Sequence, residues 1–165
     1  MEFVFVDDRS DDRTADILEH ACKHDSRTCV IRNDSLPEGW LGKVHAQQLG
    51  VDRASVSSSG WYLFSDGDTH VLPGAVSAAI AWAEREQADH VSMTPRMVGG
   101  PWLLRLCLPP LMRVLICTLR LWRANDDRQD RAMGVGAFNL VRRSALERAG
   151  GLEQLRLEIA DDVGL

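Results

Sequence analysis

The feature that most constrains the fold is an alternation. Short runs rich in β-branched and aromatic residues take turns with segments whose apolar residues recur at helical spacing. The runs FVFV (residues 3–6), RTCVIR (27–32) and GWYLF (60–64) read as strands, and DHVSMTP (89–95) and GVGAFNLVRR (134–143) complete the set. Between them, DRTADILEHACKH puts Ile17, Leu18, Ala21 and Cys22 on one helical stripe, and a Pro/Gly loop leads into a short helix over 42–49. Pro73 suits the first turn of a further helix, in which Val76, Ala79, Ile80 and Ala83 keep the period. Such alternation predicts an α/β domain, a largely parallel sheet flanked by helices. No repeat or low-complexity linker divides the 165 residues, of which 45% are hydrophobic and 26% charged, so a single domain over residues 1–165 is expected.

The formal net charge of -5 argues against a general nucleic-acid binder, because a surface that tracks phosphates needs a basic excess. Cys22, Cys29, Cys107 and Cys117 form no C-x-x-C pair and have no histidines at zinc-finger spacing, so they read as reduced thiols of a cytoplasmic protein. The first residues, MEFVFVDDRS, carry an acid at position 2 and too short an apolar run for a signal peptide. Residues 101–125 are the most apolar stretch, but Arg105, Arg113 and Arg120 interrupt it well short of the roughly 20 residues a spanning helix needs. Arg113 and Arg120 share one helical face, Leu111, Val114, Leu115, Leu119 and Trp122 fill the rest, and no acid occurs from 101 to 124. That pattern suits an interfacial helix over 101–124, and equally a core helix whose arginines snorkel to solvent.

Acidic residues cluster where strands end. FVFVDD closes on Asp7 and Asp8, WYLFSDGD on Asp66 and Asp68, and LEIADDV places Asp161 and Asp162 near the C-terminus. Ligands of open α/β sheets bind beyond the carboxyl ends of the strands. Any one acidic strand end is as readily a turn or a helix cap. If the three converge, a hard divalent cation would relieve their repulsion and keep positions open for a substrate phosphate.

Those residues carry a resemblance. VDDRSDDRTADI resembles the V-D-D-x-S-x-D-x-T motif of family 2 glycosyltransferases, enzymes of the GT-A fold, and SDGDTHVLPGAV resembles their D-x-D motif. LPEGWLGKVHAQQLGV is similar to the loop with a Gly-Lys pair between those motifs, and GVGAFNLVRRSALERAGGLEQLRLEIADDVGL to the stretch leading to the acidic pair that supplies the catalytic base. The four stand in the family's order over nearly the whole chain, and LPEGWLGK with ADDV is most similar to the glycosyltransferases associated with hopanoid gene clusters.

The resemblance implies a GT-A-like sheet, a UDP-sugar donor, Mg²⁺ or Mn²⁺, and a single inverting displacement. Asp7 or Asp8 would accept a hydrogen bond from the uracil N–H, Lys43 would approach the phosphates or pair with an aspartate, and Asp66 would face the ribose or the metal. Asp68 would bind the metal, with His70 as a candidate further ligand. Asp162, with Asp161 beside it, would take the proton of the acceptor hydroxyl. The interfacial pattern favours a lipid or membrane-associated acceptor and a position at the inner face of the plasma membrane.

Some features depart from the family pattern. Arg9 stands where a glycine is usual, and Gly67, Thr69 and His70 give D-x-D a variant surround. The chain starts at what would be the family's second strand and ends before its Q-x-x-R-W-type motif. It is therefore expected to be the central part of such an enzyme, with backbone groups beside the absent strand left unpaired. Two other classes are a truncated, non-catalytic domain that binds nucleotide, metal or membrane, and a haloacid-dehalogenase-type phosphatase. The latter's D-x-D-x-T spacing needs threonine where His70 stands.

Overall fold

A computed structural model describes residues 1–54, 60–123 and 134–157; Asp161 and Asp162 lie outside the described residues. β1 (Phe3–Asp8) and β2 (Thr28–Asn33) pair in parallel, from Phe3 opposite Thr28 to Asp8 opposite Asn33, with α1 (Thr14–His24) as the crossover between them. Before α1, Asp12 Oδ1 accepts the Thr14 N–H at 2.9 Å, so the helix begins at Thr14 rather than at the run of acids ahead of it. α2 (Gly42–Ala54) packs on β1 and runs past the expected end at Leu49. Gly50 weakens a helix by roughly 1 kcal/mol relative to Ala. A Cβ at Gly50 would lie 3.6 Å from the Val6 side chain, so this residue is part of the packed face, and packing on β1 overrides its local preference.

β3 (Trp61–Phe64), β4 (His90–Ser92) and β5 (Asn139–Arg142) form a second sheet in the order β3-β5-β4, with β5 antiparallel to both neighbours. β3 and β4 therefore point the same way, joined by α3 (Ala75–Glu86). The expectation of a largely parallel sheet holds for β1 with β2 and fails here, where the last strand inserts between two parallel ones in the opposite direction. Apolar patterning records which faces are buried and carries no sign for strand direction. Among the described residues, β1 has a ladder only along its β2 edge and β3 only along its β5 edge.

The core is organised around β5. Asn139, Leu140 and Val141 are all buried, as a strand covered on both faces must be. Leu140 packs with Phe138, Val91, Ala79 and Ala83 under α3, and Val141 packs with Val44, Leu146, Leu152 and Leu155 under α2 and α5 (Arg143–Arg148). Successive side chains thus serve opposite faces. α3 starts at Ala75, and Pro73 stays outside its first turn, because Gly74 takes the left-handed conformation at φ 81°.

α4 (Trp102–Leu119) differs from all of these. Among the described helices and strands, its substantial packing is against the 3₁₀ turn Leu121–Arg123. Arg120 is left-handed at φ 52° and ends the helix, so the expected helix over 101–124 is shorter and Arg120 caps it rather than extending its face. No helix among the described residues is long and apolar enough to cross a membrane. All four cysteines are free.

Candidate functional site

At the end of β1, Asp7 and Asp8 face opposite ways. Asp7 is 3% exposed; its Oδ1 accepts the Ser10 N–H at 3.3 Å and its Oδ2 lies 4.0 Å from Arg32 Nε. Asp8 is open enough to meet a ligand, with a quarter of its side chain exposed. Arg9 donates Nε–H and Nη2–H to its two oxygens at 3.0 Å each, and Asn33 donates Nδ2–H at 2.7 Å. The Arg9 fork holds the Asp8 carboxyl below the usual carboxylate range, opposed by partial burial and assisted by Asn33. To make this grip Arg9 adopts φ 59°, in the left-handed region where glycine alone is free of strain. The residue that departs from the family's glycine takes a backbone conformation that glycine adopts freely.

The N-terminus of α2 abuts this carboxylate. A Cβ on Gly42 would fall 2.9 Å from Asp8 Oδ2 and 3.1 Å from Arg9 Nη2, so a side chain there would force both to move. Asp8 therefore sits beside the first turn of α2, where the helix dipole favours negative charge. The next residue, Lys43, reaches the other way: its Nζ lies 3.4 Å from Asp66 Oδ1 at the end of β3. One Gly-Lys step touches the acidic ends of two strands.

Asp66 is held from below by the loop that leads into β5. Its N–H donates to Gly136 O at 3.0 Å, and Ser65 Oγ donates to Ala137 O at 2.9 Å. The loop is in turn pinned by Asn139, wholly buried, whose Oδ1 accepts the Val135 N–H at 3.1 Å. The Thr69 N–H closes back on Asp66 O at 3.1 Å, making a turn that leaves Asp68 and His70 exposed. Among the described residues no three His, Cys, Asp or Glu side chains gather as a metal-holding group, so Asp66, Asp68 and His70 are not a closed three-ligand set. Two exposed carboxylates one glycine apart fit a hard cation that draws its remaining ligands from water and a diphosphate.

Two residues of this cluster went unread in the sequence. Asn33 ends β2 directly opposite Asp8, and its Nδ2 lies 3.2 Å from His45 Nδ1 as well as reaching Asp8. Asn33 is buried, which makes it a strut between strand and helix rather than a ligand contact. The signal available was the polar residue closing TCVIRN at the level of the acidic pair, readable once the parallel register is fixed.

Neither curated proteins nor solved structures gave a significant match. The family described as glycosyl transferase family 2 matches residues 1–150, a span that takes in the β1 terminus, the Gly42-Lys43 step and the Asp66-Gly67-Asp68 turn. Matched over nine-tenths of its length, the chain belongs to glycosyl transferase family 2.

Proposed function

We propose that the chain transfers a sugar from a UDP-sugar to a hydroxyl group with inversion at the anomeric carbon. The observation that carries this reading is the Gly42-Lys43 step, packed against Asp8 on one side and 3.4 Å from Asp66 on the other. It gathers a hydrogen-bond acceptor for a base, a cation for phosphate and the first acid of D-x-D at one edge.

In this reading Asp8, backed by buried Asp7, accepts the uracil N–H, and the Lys43 ammonium exchanges part of its contact with Asp66 for the donor's phosphates. Asp66 and Asp68 would hold Mg²⁺ or Mn²⁺, with His70 as a further candidate; that cation supplies Lewis-acid stabilisation of the departing diphosphate. Asp162, with Asp161 beside it, takes the acceptor's proton as the acceptor oxygen bonds to the anomeric carbon and the bond from that carbon to the diphosphate oxygen breaks, releasing UDP. The similarity of LPEGWLGK and ADDV to hopanoid-associated enzymes supports a lipid alcohol as acceptor.

Two measurements test this. Calorimetry with UDP and Mn²⁺ should give saturable binding, and UDP should be released from a UDP-sugar when a lipid alcohol is added. Asp162→Asn should lower release by about 10²- to 10⁴-fold, the usual worth of a general base, with UDP affinity retained. Undiminished release in that variant would refute the base assignment, and binding without any release would favour a non-catalytic nucleotide-binding domain.

A further inference from the structure

α4 raises a separate question. Leu103, Leu104, Leu106, Leu111, Val114 and Ile116 are all exposed on this helix. Monomeric proteins rarely leave so continuous an apolar surface in water, and one of this kind marks a contact with something else. The occupant is indicated by charge. Residues 90–125 contain five arginines and no acid, so this segment carries +5 and the rest of the chain -10. None of Arg105, Arg113 and Arg120 has an ion pair among the described residues.

The arginines are also placed unevenly. At 3.6 residues per turn Arg105 and Arg113 fall within roughly 80° of one another, and Leu104, Cys107, Leu111, Val114 and Leu115 take the opposite side. Trp102 and Trp122, 74% and 60% exposed, flank the helix at its two ends, as aromatic residues do at a membrane–water boundary. Pro109 and Pro110, inside the helix, remove the amide donors that would meet the carbonyls of Arg105 and Leu106. Carbonyls without donors are costly in hydrocarbon and inexpensive where headgroup water reaches them. Depth and orientation follow from these facts together.

We infer that α4 docks on the surface of an anionic phospholipid bilayer, lying in the interface with its leucine side in the acyl boundary and its arginines among lipid phosphates. The inference concerns where the chain sits and stands apart from whether it transfers sugar.

The test uses the full chain with vesicles of phosphatidylcholine alone and with phosphatidylglycerol added. Co-sedimentation with the anionic vesicles is expected, weakening as salt is raised. Each arginine removed should weaken it roughly fivefold, so Arg105→Gln with Arg113→Gln should cost on the order of 25-fold. Leu111→Asp with Val114→Asp should abolish it. Both double variants should keep the wild-type far-ultraviolet circular dichroism, because all four side chains are exposed. Equal binding to neutral and anionic vesicles would overturn the proposal. So would no vesicle binding, or a dimer in solution that Leu111→Asp with Val114→Asp dissolves, which would make the helix a contact between copies. A chain that binds anionic vesicles but releases no UDP would leave this inference standing and sink the transferase reading.

Discussion

α3 and α4 are both apolar helices, and the molecule treats them in opposite ways. α3 presents small residues, Ala79 and Ala83, to Leu140 and Val91 and keeps its acids and arginine near the end that meets Arg142. α4 carries larger apolar side chains and, among the described residues, packs substantially on no strand. Apolar content therefore does not attach a helix to a sheet. A one-sided stripe that fits a matching surface does. The same contrast holds for charge: around α3 and the strand ends, carboxylates meet the Arg142 guanidinium and the Lys43 ammonium, whereas the arginines of α4 pair with no described acid.

This contrast can be broken by substitution. The largest effect should come from Leu140→Ala, which empties a site 1% exposed and should cost about 2–5 kcal/mol in denaturant unfolding, while Leu111→Ala on α4 stays within about 0.5 kcal/mol. Equal losses at the two sites would show that α4 is packed after all. Next, Asn33→Ala removes a buried donor to Asp8 and should destabilise by roughly 1–3 kcal/mol; the loss should be smaller if Asp8 is also made Ala, since the strut then has no acceptor at that position.

A smaller change is expected from Arg9→Gly, and its size depends on pH. Asp8 has its folded pKa lowered, chiefly by Arg9, so its stabilisation is present above the unfolded value of about 3.9 and disappears as pH falls through the folded value. Any advantage of wild type over the glycine variant at pH 7 should shrink at pH 3, whereas Arg113→Gln should show no such trend. A gap that is constant with pH would deny that the guanidinium acts through Asp8. The smallest loss of stability belongs to Lys43→Ala, whose pair with Asp66 is half exposed and worth under about 1 kcal/mol, although UDP affinity should fall.

Much of this was legible in the chain itself. The strands at 3–6, 27–32 and 60–64 lie within a residue or two of β1, β2 and β3, because two-residue and helical periods are local properties that survive folding. The direction of β5 was not, since inserting it between β3 and β4 is decided by contacts between residues far apart in the chain, Trp61 with Arg142 and His90 with Val141. The pairing of Lys43 with an aspartate was among the expected alternatives, and Asp66 is its partner. Asn33 and His45 escaped notice because a lone polar residue acquires meaning only when the register puts a carboxylate beside it. The roles of Asp161 and Asp162 rest on the family's pattern, as those residues lie outside the described ones.

The placement of β5 also dictates an order of events during synthesis. β3 and β4 leave the ribosome with no strand beside them, and their common neighbour arrives only with residues 139–142. The leucines of α4 emerge within that interval, after β4 and ahead of β5, so a nascent chain has its most adhesive segment on display before its second sheet can close. A nearby bilayer would act on the unfinished polypeptide as a holdase does, sequestering that segment while the last strand is made.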